Sequence, residues 1–355
     1  MKHKKLVIGS ALALATGAAV YATSRAGAAP AYSISGASSD RLGIVPGGDL
    51  YLSGTVRNNT GGTQTITVEG RFMDITAKTD SIDIDPGEDV DYLLILRDNK
   101  GTPGNAHAPV VRVNGVSETY PDVTIAPKHK MGELGWIWAG GDKLVGASNH
   151  GDWREVLYWG SVVLDEYSIG HGLDNMGQGV LPDRLRSQWQ DTKPKRFWGL
   201  GHGSKTVFTV DNKEYFFTAS GKNLDLVSGC WVHLQSCLTA QQLGPAIIDA
   251  GASGYIGYHG PFWLVRYRGK EAGCARWLTA CEDCDRHMED LLDEGITDPD
   301  TLLTRGKDGF NREISYWENN YDNEEIDGTP VNEHMANILI TLLTRDRRAL
   351  RVYGP

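Results

Sequence analysis

Cysteine is absent from the first 229 of the 355 residues, and tryptophan from the first 130. The first part of the chain therefore has no disulfide framework and no cysteinyl metal site. A basic stripe is also missing: apart from the opening residues and TRDRRALR near the end, cationic side chains are scattered, and the formal charge is -10. That balance argues against wrapping nucleic acid, which needs a basic surface against the phosphates. No GxxxxGK[ST] phosphate loop occurs. GLGHGSK imitates a glycine-rich dinucleotide turn, but TVFTV follows it, which reads as a strand where the fingerprint needs a helix.

What remains fits a folded chain of two ordinary domains, with 40% hydrophobic and 23% charged residues. The start places Lys2, Lys4 and Lys5 before an uncharged run from Leu6 to Ala22, with a small-x-small site at Ala26-Gly27-Ala28. A basic region followed by an apolar one predicts export, with residues 1–28 either removed as a signal peptide or kept as an N-terminal membrane anchor. Residues 30–126 alternate short β-rich runs (LYLSGTV, TQTITVEGRFMDI, APVVRVNG) with turns such as RNNTGG. This rhythm predicts an all-β sandwich of immunoglobulin-like type, suited to spacing, docking or binding. Its DIDPGED segment has the composition of a calcium loop but reads better as a solvated turn.

Residues 131–355 have another rhythm. Strand-like ELGWIWAGG precedes the helical DWREVLYW, and SVVLDEYSIG reads as a strand whose tip, in a GHG triplet, carries His171. The helix LPDRLRSQW is followed by KRFWGLGHG, the hairpin TVFTVDNKEYFFTASG, GCWVHLQSC, a helix and ASGYIGYHG. Such alternation predicts an α/β domain with a mostly parallel, doubly wound sheet, whose ligand sites lie at the carboxyl ends of strands. His202 and Cys237 end two of those predicted strands. A thiol needs a base or a cationic imidazole beside it to become a nucleophile. Adjacent strand tips supply that proximity across the intervening residues. Gly203 permits a sharp turn after His202, and its N–H together with that of Cys237 would form an oxyanion hole.

GHGS and VHLQSC, followed by LTAQQLGPAIIDAGASGYIGY, resemble the core of the caspase-like cysteine peptidases, nearest the gingipain type. ITLLTRDRRALRVYG resembles the family's closing helix and strand, without its usual Asp-Pro pair. The resemblance covers about residues 131–355 and implies a caspase-like sheet and endopeptidase activity on proteins or peptides, without a cofactor. His202 and Cys237 would be the catalytic pair, with Gly203 and Cys237 as oxyanion donors. In gingipain-type enzymes the β-sandwich commonly follows the peptidase domain, whereas here it would precede it. Asp165, Glu166, Asp174 and Asp225 are candidate acids for holding a basic substrate side chain. His171, Asp174 and His259 are candidate cleft residues. The alternative is a surface-binding or structural protein that keeps a peptidase-like domain with little or no activity.

His233 falls inside the strand leading to Cys237 and reads as packing, and Cys230 as a buried, inert thiol. Cys274, Cys281 and Cys284 share a helical face, with His287 one turn further on. Structural zinc, a disulfide to a loop, and plain buried thiols are all open for this cluster.

Overall fold

The computed structural model describes residues 30–39, 42–45, 50–97, 101–126, 136–148, 154–178, 182–210, 214–265, 276–326 and 328–355, the side chains of 154–159 and 177–178 excepted. The segment expected to direct export, and Cys274, lie outside them. No described helix is long and apolar enough to cross a membrane. The chain divides into two compact units, Met1–Pro127 and Lys128–Pro355.

In the first unit the described elements are all strands: β1 (Tyr32–Ser39), β2 (Gly43–Ile44), β3 (Leu50–Asn58), β4 (Gln64–Ile66), β5 (Val68–Phe72), β6 (Ile75–Lys78), β7 (Ile82–Ile84), β8 (Asp89–Leu96), β9 (Ala106–His107), β10 (Val110–Val113), β11 (Val116–Thr119) and β12 (Val123–Ile125). They form small sheets in the orders β1-β3-β8, β11-β10-β5-β6, β2-β12-β9 and β4-β7. Strict alternation explains the core: along β8, Tyr92, Leu94 and Leu96 turn inward while Asp89 and Asp91 stay exposed. The inward residues join Leu50, Leu52, Phe72, Val111 and Val113 in one cluster. The DIDPGED carboxylates are occupied locally, Asp83 by Thr65 Oγ1 and Asp85 by Thr63 Oγ1, each at 2.6 Å.

In the second unit the order is β13 (Trp136–Gly140), β14 (Lys143–Ala147), α1 (Arg154–Gly170), β15 (Asp174–Gln178), α2 (Pro182–Thr192), β16 (Arg196–Leu200), β17 (His202–Gly203), β18 (Val207–Thr209), β19 (Tyr215–Thr218), β20 (Trp231–Gln235), α3 (Leu243–Asp249), β21 (Gly254–Tyr258), α4 (Arg276–Asp293), α5 (Pro299–Asn320), a small hairpin of β22 (Glu325–Ile326) and β23 (Thr329–Pro330), α6 (Glu333–Ala349) and β24 (Leu350–Tyr353). The main sheet runs β15-β13-β14-β16-β20-β21-β24, and β17-β18-β19 form a separate small sheet. Side chains alternate between two cores. Phe197, Val232, Leu234 and Tyr255 pack with α2 and α3 through Leu185, Trp189, Leu243 and Ile247. Trp136, Trp138, Trp198 and Leu200 pack on the other face with Val163, Leu164 and Tyr167 of α1. Burial on both faces explains why β20 and β21 are buried at every position, without the exposed alternate residues of a one-faced strand.

Two expectations are corrected here. The sandwich followed by a mostly parallel, caspase-like sheet is not what the chain builds: the first unit is broken into several small sheets, and the main sheet of the second is mixed. Only β14, β16, β20 and β21 are mutually parallel, whereas β13, β15 and β24 pair antiparallel. The cause is local at one end, where Gly141 adopts φ +56° in a tight turn that folds β14 back on β13. At the other end α6 leads directly into β24, so the last strand returns against β21. In addition, SVVLDEYSIG is not a strand: it continues helix α1 to Gly170, and its residues from Gly160 to Ser168 are buried.

Candidate functional site

β16 and β20 lie side by side and parallel, in register from Arg196↔Trp231 to Leu200↔Gln235. His202 and Cys237 are each the second residue beyond that last pair, so both emerge at one edge of the sheet from neighbouring strands. Gly201 N–H donates to Gln235 O at 3.4 Å and carries the pairing one step further. Gly203 then passes against the turn that holds Cys237. A Cβ on Gly203 would fall 2.2 Å from Ser236 Oγ, 2.6 Å from Thr239 Cγ2 and 2.7 Å from Cys237 O. Only a glycine permits that approach of backbone to backbone.

The chain turns sharply past the thiol. Leu238 has φ +61°, a left-handed conformation that costs a branched side chain about 1–3 kcal/mol. Leu238 N–H donates to Gly260 O at 2.9 Å, and Gln241 Nε2 donates to His259 O at 2.7 Å. These bonds bring the segment after β21 against the Cys237 turn. The thiol of Cys237 donates to Phe262 O at 3.8 Å, and Phe262 is buried, its ring tilted against that of Tyr258. His259 itself is exposed at this same edge, with its N–H on Ala349 O at 2.8 Å.

The two reactive groups rest in neutral forms. Burial pushes the Cys237 thiol up, and the Asp346 carboxyl nearby adds to the rise. Burial alone lowers His202, so its imidazole is a neutral base at neutral pH. This is a thiol and an imidazole, not a preformed thiolate–imidazolium pair. Beneath them, Gln235 and Ser236 are buried, and neither the Gln235 amide nor Ser236 Oγ has a hydrogen-bond partner.

Other predicted site residues fall elsewhere. His171 follows α1 and lies at the opposite edge, where Asp293 of α4 meets Lys143 Nζ at 2.6 Å, Arg196 at 2.5 Å and His171 Nε2 at 3.1 Å. Lys143 and Arg196 begin their strands, so this cluster marks the amino ends. Asp174 begins β15 and pairs with Ala139 close to that edge. Neither is brought to His202 and Cys237. Asp165 and Glu166 are buried in α1, and Asp225 is bound by Arg186 on the surface at 2.8 Å.

His233 is buried between two carboxylates of α4, Glu289 at 2.8 Å and Asp285 at 3.1 Å, the latter without the angle of a hydrogen bond. It also stacks on Trp198 at 5.6 Å between centroids. Burial pulls its pKa down, but the carboxylates outweigh it and hold the imidazolium up to about 9. Cys230, Cys281 and Cys284 are free, buried thiols. His287 turns instead to Arg312, 2.9 Å away, and burial with that cation pushes it down to about 3. Among the described residues no group of three or more His, Cys, Asp or Glu side chains is arranged to hold a metal. Sequence reasoning missed Leu238, Phe262 and Asp346, which come from a turn, a loop and a distant helix.

No family model matches the chain, and neither does any curated protein. Among solved structures, the chain is similar to a Pseudomonas fluorescens alkylpurine DNA glycosylase at 18% identity and TM-score 0.23, over 29% of this chain and 32% of that one. It is also similar to a Listeria innocua beta-glucosidase at 14% identity and TM-score 0.17, over 26% and 16%. A Paenibacillus cycloisomaltooligosaccharide glucanotransferase matches at 10% identity and TM-score 0.22, over 60% and 42%. The chain thus spans less than half the length of each, and overlaps this slight carry no argument about fold or activity.

Proposed function

We propose that the chain is an exported cysteine endopeptidase acting through Cys237 and His202 on protein or peptide substrates. The observation that carries this reading is the parallel register of β16 and β20, which sends both side chains from adjacent strand ends toward one edge. Gly203 against the Cys237 turn adds support, because it sets the backbone that follows His202 against the Cys237 peptide. The lysine-flanked apolar leader supports export.

In this mechanism neutral His202 takes the thiol proton as Cys237 Sγ attacks the scissile carbonyl carbon. The N–H groups of Gly203 and Cys237 stabilise the oxyanion. His202 returns its proton to the departing amine, leaving a thioester. Water, deprotonated by His202, then releases the acid and restores the thiol. Because the resting thiol is protonated, proton transfer accompanies attack.

The test compares wild type with Cys237→Ala and His202→Ala on a panel of peptide substrates and thiol-reactive peptide probes. Turnover should fall by about 10³-fold or more in either variant, and Cys237 labelling likewise in His202→Ala, while the melting temperature holds. Turnover that survives Cys237→Ala, or none with any peptide after reduction and limited proteolysis, sinks the reading. The covered, protonated state of Cys237 favours the second reading, a surface-binding protein with little activity, should that last result be found.

A further inference from the structure

The peptide bond joining Phe262 to Trp263 has a partner on each side. Its carbonyl oxygen faces Cys237 Sγ at 3.8 Å. Its N–H donates to Asp346 Oδ1 at 2.8 Å. Asp346 sits near the end of α6 with no exposed surface, and its second oxygen, Oδ2, has no hydrogen-bond partner. Burying a carboxyl group for one backbone hydrogen bond is costly unless the bond fixes something. Trp263, by contrast, leaves 38% of its surface exposed, with Arg345 of α6 5.0 Å over its ring. The segment is thus pinned at its backbone while the side chain at its end stays open to solvent.

We infer that Asp346 is a positioning residue for Cys237: by holding the Trp263 N–H it fixes the Phe262 backbone over the thiol and keeps the sulfur covered. The inference rests on Cys237 being the reacting thiol of the reading above, but not on peptide hydrolysis. Its electrostatic setting is consistent. Glu282 and Asp285 of α4 face Asp346, Arg345 is the cation on its own helix, and Tyr258, Cys281 and Cys237 lie within reach of its carboxyl. Burial first, then those carboxylates, push the Asp346 carboxyl well above its ordinary range. Asn at this position keeps the acceptor oxygen. Ala removes the tether. Trp263→Pro removes the same hydrogen bond from the other side, since proline has no N–H.

The experiment measures the rate of Cys237 alkylation by iodoacetamide from about pH 6 to about pH 10, the span of an ordinary thiol titration. Mass spectrometry assigns the site, and near-UV melting checks the fold. Burial is the largest cause of the raised thiol pKa, so uncovering the sulfur should lower it. Asp346→Ala and Trp263→Pro should react several-fold faster at neutral pH, with the midpoint of the profile moved down. Asp346→Asn and the control Trp263→Phe should stay within about twofold of wild type, since each keeps the hydrogen bond. A purely structural role for Asp346 would leave the midpoint in place. Wild-type rates in the Ala and Pro variants, or an Asn variant that behaves like Ala, overturn the inference. Should Asp346→Ala fail to fold, the Pro and Phe pair decides alone. A chain that cleaves no peptide leaves this measurement intact, because alkylation needs only the thiol.

Discussion

Asp293 at the end of α4 is met by Lys143, Arg196 and His171, whereas Glu282 near the start of the same helix is met by no cation among the described residues. Asp293 lies at the amino edge of the sheet. Glu282 lies toward the other edge: its Cγ converges with a Leu200 methyl on the point where a Cβ of Gly160 would stand. Between them Asp285 and Glu289 share His233. The helix thus carries a row of carboxylates beneath the parallel strands, compensated at one end and uncompensated at the other. Both ends perturb titration strongly, so perturbation alone does not distinguish scaffold from site. Pairing does. The amino edge is a closed ion cluster, while the unpartnered polar atoms of Gln235 and Ser236 and the left-handed Leu238 lie at the strand ends that carry His202 and Cys237.

Breaking the middle of the row should have the largest effect on stability. Replacing His233 with leucine leaves Asp285 and Glu289 buried without their cation, and removing one partner of such an arrangement costs about 3–5 kcal/mol. That is a large share of a typical domain's stability of about 5–15 kcal/mol. The wild-type protein should show the linked pH dependence. The folded imidazolium titrates at about 9 against an ordinary 6.5. Its contribution is therefore fully present below about pH 6.5 and is lost as pH rises through about 9. Urea midpoints measured across that window should fall in wild type and stay flat in the variant; a flat wild-type curve would show that His233 is not held as a cation.

Asp293→Asn should have a smaller effect of the same sign. The cations and hydrogen bonds around Asp293 more than offset its burial and hold its carboxyl below the usual range. Its contribution is present above the unfolded carboxylate pKa and lost as pH falls through the lower folded one. With the Asp293 side chain 23% exposed, we expect a loss of about 1–3 kcal/mol at neutral pH, shrinking as acid protonates the wild type. The alkylation rate of Cys237 should not change, because Asp293 belongs to the opposite edge. A coupled change there would erase the distinction between the two edges.

These contrasts also mark what was legible in the sequence. KRFWGLGHG and GCWVHLQSC announced themselves as buried strands with glycine at a tip, and the register of those strands brought their ends side by side. The hairpin over Trp136–Ala147 is not legible locally, because Gly140-Gly141-Asp142 reads as the end of a strand and not as a reversal. The GHG triplet at His171 reads like a strand tip, whereas the helical burial that runs through Tyr167 carries α1 to Gly170 and sets His171 at the amino edge. The partners of His233 and of the Phe262–Trp263 peptide were beyond local reasoning, since they sit 56 and 83 residues away. One signal could have found the first. Glu282, Asp285 and Glu289 recur at helical spacing on the side that carries Cys281, Met288 and Leu292, which flags carboxylates turned into a core.

The smallest effect expected has the opposite sign, and it is the sharpest test of the contrast. Burial drives the Glu282 carboxyl well above its ordinary range, and the neighbouring Asp283 and Asp285 add to the rise. A carboxyl group whose folded pKa is raised binds its proton more tightly in the folded state. Its contribution is therefore intact below the unfolded pKa near 4.5 and is lost as pH rises toward the folded one. Glutamine mimics the protonated acid and does not ionise in the unfolded chain. Glu282→Gln should thus be neutral at low pH and stabilise the protein by on the order of 1 kcal/mol near neutrality. Asp293→Asn, on the same helix, should destabilise over that same range. Paired melting curves for the two variants decide the matter. If Glu282→Gln destabilised as Asp293→Asn does, Glu282 would have a cation partner, and the strand ends beneath Cys237 would be as fully compensated as the amino edge.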